Sequence, residues 1–297
     1  MNSLQIKIFK VSVILTILLF SFSCSDLLEE NLISDRTTDN YYVDQQGFED
    51  LVKSAYAPLR DIHKQRDLVL LGTDLFTQTG APDLGGLNSL NDYSPQALNP
   101  QSAEVSTYWA SLYSAIGRTN TAVDRSPHVD MDDELKSVWV AEARFLRALY
   151  YFYLVEQFGD IPLMLNEVTE VLTTADRVPE AQVYEQIITD LESAIASLPE
   201  TQSNYGRITA GAGQHLLAKV LLTRGYKAYG TQADFQQAAA LASNVINSGS
   251  YRLLDSFEEV FEQGNEVNEE IIFAAQYSVV LVLNEEGSNT HSIFGVG

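Results

Sequence analysis

Apolar residues recur at helical spacing through most of the chain between residues 44 and 247. Asp44 can cap the first helix, in which one apolar stripe follows the spacing of a single helical face. The stripe consists of Phe48, Leu51, Val52, Ala55, Tyr56 and Leu59. The same spacing predicts five further helices, at about 102–125, 132–158, 179–198, 209–229 and 235–246.

These helices are predicted to pack as antiparallel hairpins. Short turns at 201–207 and 230–234 separate the last three of them. Between Phe145 and Val155 the third helix is apolar or aromatic on nearly every side, which indicates neighbours around most of its circumference. The sequence therefore predicts a mainly α fold of tetratricopeptide-like helical hairpins.

Two stretches interrupt the helical pattern. Residues 66–100 have no apolar period and contain four Gly and three Pro, so they are predicted to form a long irregular loop. Long loops inside compact domains are often functional, which makes this loop the first candidate site. Near the C-terminus, the apolar runs 271–273 and 279–283 predict a short β-like segment.

The first 23 residues are predicted to be a signal peptide. Lys7 and Lys10 precede an apolar run of twelve residues, 11–22. A run of this length is too short to span a bilayer as a helix, but it suits a secretory signal behind a basic start.

Ser23 and Cys24 resemble the cleavage site of a bacterial lipoprotein, although Ser21 stands where Leu is usual. In that resemblance the thiol of Cys24 receives a diacylglycerol, and its new amino group receives a further acyl chain such as palmitate. Several chains anchor a protein where one binds only marginally. Residues 24–42 are polar and aperiodic, so they are predicted to be a tether and an extended arm. An unmodified thiol is the alternative for Cys24.

The charge balance narrows the range of partners. The chain has 40 Asp and Glu against 18 Lys and Arg, a formal net charge of −22. Nucleic-acid binding depends on basic patches, and none stands out in the sequence, so we expect no nucleic-acid partner. A single Cys also excludes a disulfide framework and a multi-Cys zinc site.

The sequence contains no recognisable catalytic motif. His63, His128, His215 and His291 lie far apart, and none has a second His or Cys at ligand spacing. A Gly-x-Ser-x-Gly element and a phosphate-binding loop are both absent from the sequence. Catalysis by paired carboxylates has no sequence motif that would exclude it, but 40 acids bring many pairs together by chance, so a solvated acidic surface is the favoured interpretation. We therefore expect that the protein is not an enzyme and binds no metal or cofactor. A surface glycosidase is the weakest alternative.

Charged and aromatic side chains interrupt the apolar pattern of the third helix. Glu142, Arg144 and Arg147 fit a paired network between packed helices, because a buried charge without a partner is costly. A ligand clamp is the alternative. Tyr150, Tyr151 and Tyr153 are predicted to be interhelical aromatics, with a sugar platform as the alternative.

The third helix and its exit carry the most specific resemblance to a known family. The segment Ala141–Leu163, AEARFLRALYYFYLVEQFGDIPL, resembles a helix and its Gly-Asp-x-Pro exit in the SusD/RagB family of outer-membrane lipoproteins from Bacteroidota. Shorter matches occur in order along the chain at Trp109–Asn120, Gly206–Thr209, Val245–Leu253 and Glu270–Phe273. One departure is that Gly211 and Gly213 stand where such a helix more often has Ala.

The resemblance implies a SusD-like α-superhelix that acts at the cell surface. Residues 43–253 would be its helical domain, and 254–297 an incomplete start of the family's C-terminal region, as in a truncated chain. A family member of this kind would be anchored in the outer membrane and would not be a catalyst. It would serve as the lid of a SusC-like TonB-dependent transporter, capturing oligosaccharides or, in some members, peptides.

A cluster in the irregular loop is the candidate ligand site. Sugar recognition requires aromatic faces and planar polar groups in one place, and Asn88, Asn91, Asp92 and Tyr93 lie close together in sequence. Turn formation by these residues is the alternative. A helical-repeat adaptor that only holds a protein partner is the competing function.

Overall fold

The computed structural model describes residues 37–64, 68, 72–74, 90, 93 and 99–277. By contacts the chain divides into two units, Met1–Tyr41 and Tyr42–Gly297. In the first unit, α1 (Thr38–Tyr41) is a single helical turn within the segment predicted to be an extended arm. The Thr37 amide donates a hydrogen bond of 2.8 Å to the Asn40 side chain, which favours this turn. Cys24 lies outside the described residues.

The second unit is a series of helices. They are α2 (Gln45–Tyr56), α3 (Pro58–Lys64), α4 (Ala103–Arg125), α5 (Asp133–Phe158), α6 (Glu180–Ile195), α7 (Ala210–Gly225), α8 (Gln232–Asn247) and the short α9 (Phe257–Val260). From α4 to α8 each helix packs on the next, and α2 packs on α4 and α5. This confirms the predicted mainly α fold of helical hairpins.

Helix α5 forms the centre of the hydrophobic core. Its Tyr150 and Tyr151 side chains are fully buried. The Tyr150 hydroxyl donates to the Ala55 carbonyl oxygen at 2.6 Å, and the Tyr151 hydroxyl donates to the Met164 carbonyl oxygen at 2.6 Å. Burial of the rings and pairing of their hydroxyls identify both residues as interhelical aromatics, as predicted, and not as a sugar platform.

Local capping explains where the helices begin. The Asp44 carboxylate accepts from the Gly47 amide at 2.9 Å, as expected for a cap of α2. The predicted first helix is in fact two helices, because Pro58 has no amide hydrogen and starts α3 after a break at Ala57. Helix α8 begins earlier than predicted, because Thr231 and Asp234 form a capping box.

The Gly-Asp-x-Pro exit of α5 joins three elements. Gly159 has a φ of 66°, a left-handed conformation that glycine adopts without strain, and it ends α5. The Asp160 carboxylate accepts from the Glu180 amide at 2.8 Å and so caps α6. Between them, β1 (Ile161–Pro162) pairs antiparallel with β2 (Arg177–Val178). The motif therefore ends α5, caps α6 and holds the connection between the two helices in place.

The run 271–273 does not form the predicted strand. Ile272, Phe273 and Ala275 pack, partly buried, against the helical core. In the described part of the chain this segment has no strand partner, so its apolar residues serve packing and not a sheet. The second predicted run, 279–283, lies outside the described residues.

Close packing at the start of α7 accounts for glycine at position 213. A Cβ added at Gly213 would lie 2.8 Å from Ile195 Cγ1, whereas one added at Gly117 in α4 would meet nothing within 4 Å. We expect Gly213→Ala to lower the free energy of unfolding by about 1 kcal/mol, since overpacking outweighs the gain in helix propensity. Gly117→Ala should raise it by about 0.5–1 kcal/mol. Urea denaturation measures both, and a stabilising Gly213→Ala would contradict the packing argument.

Candidate functional site

The predicted loop site is described only at Tyr93. Its side chain is 62% exposed, and its hydroxyl donates a 2.7 Å hydrogen bond to the Gly72 carbonyl oxygen. Asn88, Asn91 and Asp92 lie outside the described residues. The structure therefore places one member of the predicted cluster and leaves the assembly of the other three as a prediction.

Gly72 allows the Tyr93 ring to lie close to the backbone. Gly72 has a φ of 75°, and a Cβ there would lie 2.9 Å from Tyr93 Cζ and 2.7 Å from the Leu90 carbonyl oxygen. Tyr93 itself has a φ of 49°. Leu90 is buried, so this part of the loop is anchored while the tyrosine ring stays accessible. An accessible aromatic ring held at its hydroxyl end can pack against the apolar face of a ligand.

A second concave region surrounds the segment 270–276. Three clefts of about 350, 180 and 550 Å³ adjoin it, and Ala274 lines all three. The 350 Å³ cleft lies between α2, α3 and the turn before α7. Its polar and aromatic lining consists of Lys53, Tyr56, Arg60, Asn204, Tyr205, Arg207 and Gln276.

The 350 Å³ cleft offers hydrogen-bonding groups beside a tyrosine ring. Tyr205 is 41% exposed, and its hydroxyl donates to the Glu266 carbonyl oxygen at 3.0 Å. Asn204, Gln276 and Arg60 lie around it and can pair with hydroxyl or carbonyl groups of a polar ligand. The sequence prediction missed these residues, although the turn before the Gly206-Arg207 motif was a visible signal.

A buried ionic network forms the wall behind this cleft. Arg207 donates to both carboxylate oxygens of Glu142, at 3.2 and 3.0 Å, and to Glu49 at 2.8 Å. Tyr56 and Gln202 donate to Glu142 at 2.7 and 3.0 Å. Burial raises the pKa of Glu142, and Arg207 together with the other donors counteracts that rise. Every acceptor of this carboxylate is occupied by the protein, so Glu142 belongs to the predicted network and not to a clamp.

Arg147 forms a second buried network. It donates to both oxygens of Asp190, at 2.8 and 2.7 Å, to Asn120 Oδ1 at 3.0 Å and to the Leu165 carbonyl oxygen at 3.1 Å. Bidentate pairing in a buried site fixes the spacing of α4, α5 and α6. The prediction of a structural network is confirmed for Glu142 and Arg147. Arg144 differs, because its described partner is the hydroxyl of Ser193.

The 550 Å³ cleft contains two of the four histidines. His63 Nε2 lies 3.2 Å from the Tyr153 hydroxyl, and burial lowers the pKa of His63. Burial, and then the neighbouring Lys219, lower the pKa of His215. Within the described ranges, no three His, Cys, Asp or Glu side chains are grouped closely enough to hold a metal ion.

None of the described helices is both long enough and apolar enough to cross a membrane.

Comparison with known proteins identifies a family for this chain. A SusD-like family, described as "Starch-binding associating with outer membrane", matches residues 29–222. A SusD-like protein of Bacteroides ovatus is 30% identical over 287 residues, which cover 90% of this chain and 50% of that protein.

Two solved structures share the fold. A "Laminarin binding SusD-like protein" is 26% identical with a TM-score of 0.66, covering 78% of this chain and 51% of that one. A crystal structure with a xylogluco-oligosaccharide is 26% identical with a TM-score of 0.63, covering 76% and 46%. The chain spans about half the length of the curated relatives it matches.

Proposed function

Because the chain belongs to the SusD-like family, whose description is starch binding in association with the outer membrane, we propose that it captures oligosaccharides. The observation that carries the proposal is the accessible Tyr93 ring, which its hydroxyl holds against Gly72. Aromatic rings supply the apolar contact that sugar rings need, while neighbouring polar groups fix orientation. The loop residues Asn88, Asn91 and Asp92 are the proposed polar partners.

The similar structures support a polysaccharide fragment as the ligand. One is named for laminarin binding, and another holds a xylogluco-oligosaccharide. By likeness we propose an oligosaccharide for this chain, bound and released without a chemical step. A peptide ligand is the alternative within the same family.

We further propose that the protein works at the cell surface. Cys24 would carry the lipid that anchors it in the outer membrane, behind a signal peptide of residues 1–23. The captured oligosaccharide would pass to a SusC-like TonB-dependent transporter. The basic start, the apolar run and the Ser23-Cys24 pair support the anchor, and the family's description supports the membrane.

Removing the Tyr93 ring tests the binding proposal. We expect Tyr93→Ala to weaken oligosaccharide binding about tenfold or more, because an aromatic anchor is lost. Isothermal titration of the full chain against a panel of laminarin, xyloglucan, starch and peptide fragments measures this. Tyr226→Ala is the matched control, since Tyr226 is an exposed tyrosine directly after α7 that packs beside Phe235 of α8.

Three outcomes separate the alternatives for binding. Equal affinity of the Tyr93→Ala and parent proteins would remove Tyr93 from the site. Binding of peptides alone would favour the peptide-binding alternative. If the folded chain retains a SusC-like transporter in a pull-down but binds no glycan or peptide, the adaptor function is favoured.

Replacing Cys24 tests the anchor. We expect Cys24→Ala to move the protein from the membrane fraction to the soluble fraction, because no other acylation site is proposed. Fractionation and metabolic labelling with palmitate measure the change. Cells that retain the variant in the membrane fraction, with label incorporation unchanged, would contradict lipidation at this residue.

A further inference from the structure

A polar groove lies between the first half of α5 and the end of α6, and it shares no lining residue with the three clefts described above. It has a volume of about 280 Å³. Helix α5 contributes Asp133, Lys136, Ser137, Val140, Ala141 and Arg144; the last turn of α6 contributes Ser193, and the residues after α6 contribute Ser197. We call it the serine groove, after Ser137, Ser193 and Ser197.

Helical periodicity explains why these polar side chains converge. Ser137, Ala141 and Arg144 recur at intervals of four and three, so they share one face of α5. Ser193, in the last turn of α6, and Ser197, just after that helix, line the opposite side of the groove. The Ser137 hydroxyl donates to the Ser197 hydroxyl at 3.2 Å, which shows that the two sides of the groove meet.

Arg144 differs from the arginines of this chain that pair with a carboxylate. Five others, Arg125, Arg147, Arg207, Arg224 and Arg252, are each ion-paired with a carboxylate. Arg144 donates to the Ser193 hydroxyl, and no carboxylate of the described residues forms an ion pair with it. A guanidinium has five N–H donors, so most of those on Arg144 remain available to a ligand in the groove.

Lys136 provides a second positive charge that can change partner. Its ammonium lies 3.1 Å from Asp133, and the Asp133 side chain is 96% exposed. Ion pairs with so exposed a carboxylate contribute little, because water competes and salt screens them. An anion bound in the groove could therefore replace Asp133 as the partner of the Lys136 ammonium at a small cost in free energy.

We propose that the serine groove is a binding site for a tetrahedral oxyanion, a sulfate or phosphate group. The guanidinium of Arg144, the ammonium of Lys136 and the hydroxyls of Ser193 and Ser197 supply donors from several directions, as such an anion requires. The net charge of −22 repels anions generally, so binding depends on this local set of donors. The site goes beyond the proposed oligosaccharide capture and does not depend on it.

The test is titration of the full-length chain with inorganic sulfate and inorganic phosphate at constant ionic strength. We expect saturable binding of one ion per chain. Arg144→Gln should weaken it about tenfold or more, because a charge-assisted hydrogen bond is lost. Arg118→Gln is the matched control, because Arg118 is an exposed arginine on α4 that likewise donates one hydrogen bond to an uncharged oxygen, at 3.0 Å. It should bind the ion as the parent does.

Lys136→Gln provides a second variant if Arg144→Gln fails to fold, which circular dichroism detects. It should also weaken binding, although less, because Lys136 donates from a flexible stem. Binding that never saturates, or equal weakening in Arg144→Gln and Arg118→Gln, would overturn the proposal, since both results indicate an unspecific charge effect.

A sulfated oligosaccharide and its desulfated form distinguish the two sources of the anion. If the sulfated form binds more tightly and Arg144→Gln abolishes the difference, the site takes a group carried by a glycan. If inorganic ions bind and sulfation adds no affinity, the site takes the free ion. Tyr93→Ala should leave inorganic sulfate binding unchanged, so a failure of the glycan proposal and a failure of the groove give different results.

Discussion

Replacing Arg147 with Met is expected to lower the free energy of unfolding by about 3–5 kcal/mol, because it leaves a buried carboxylate without its counterion. The side chains of Arg147 and Asp190 are only 6% and 4% exposed. Asn120 and the Leu165 carbonyl oxygen would lose a donor as well. Urea denaturation followed by circular dichroism measures the change.

Two further variants separate a lost network from a merely disturbed surface. Arg252→Met removes an ion pair with Glu269 whose side chains are 59% and 60% exposed, and it should cost less than about 1 kcal/mol. The double variant Arg147→Met with Asp190→Leu should recover a large part of the loss, since both charges are gone. A loss in Arg147→Met no larger than that in Arg252→Met would contradict the assigned role of the pair.

Replacing Arg207 with Met is expected to cost about 3–5 kcal/mol at pH 7 and clearly less at pH 5. Burial raises the pKa of Glu142 above its usual 4.5, and Arg207 is the chief group that opposes this. Without Arg207 the pKa of Glu142 moves further upward, so the carboxyl group becomes neutral at a higher pH. A neutral carboxyl group no longer needs a counterion, and the penalty therefore shrinks in acid.

The direction of this pH dependence follows from the linkage between protonation and folding. An acid whose folded pKa exceeds its unfolded value contributes stability that is fully present below the unfolded pKa. That contribution is lost as the pH rises through the folded pKa. The free energy of unfolding of Arg207→Met should therefore be furthest below that of the parent at pH values above the folded pKa of Glu142. The free energy of unfolding of both proteins, measured by urea denaturation at pH 5 and pH 7, tests this.

Glu142→Gln in the Arg207→Met background serves as the control for this pH dependence, because it removes the titrating group. The difference between pH 5 and pH 7 should then largely disappear. A penalty for Arg207→Met that is the same at both pH values would mean that Glu142 does not govern it.

Helices could be predicted from this sequence because burial on one face leaves a direct trace in residue spacing. The stripe from Phe48 to Leu59 and the cap at Asp44 placed the start of α2 correctly, and the predicted helix start at 132 lies one residue before that of α5. The errors came from local chemistry that overrides the stripe. Pro58 splits the first helix, and the Thr231–Asp234 capping box moves the start of α8.

The clefts could not be predicted in the same way, because their walls come from distant parts of the chain. Arg60, Asn204 and Gln276 line one cleft, and no spacing rule relates residues so far apart in sequence. The run Ile271–Phe273 shows that local composition alone does not predict a strand. Its β-branched, apolar composition suits a strand, yet a strand also requires a partner, and the segment packs on helices instead.

Arg207 also constrains the order in which the molecule can assemble. It joins Glu142 and Glu49, which precede it by 65 and 158 positions. A chain made from its N-terminus therefore exposes both acids long before their counterion has been synthesised, and closing so wide a loop is entropically slow. Until then, hydrated carboxylates oppose compaction of the first helices. The early product of translation should accordingly stay less compact than the finished chain.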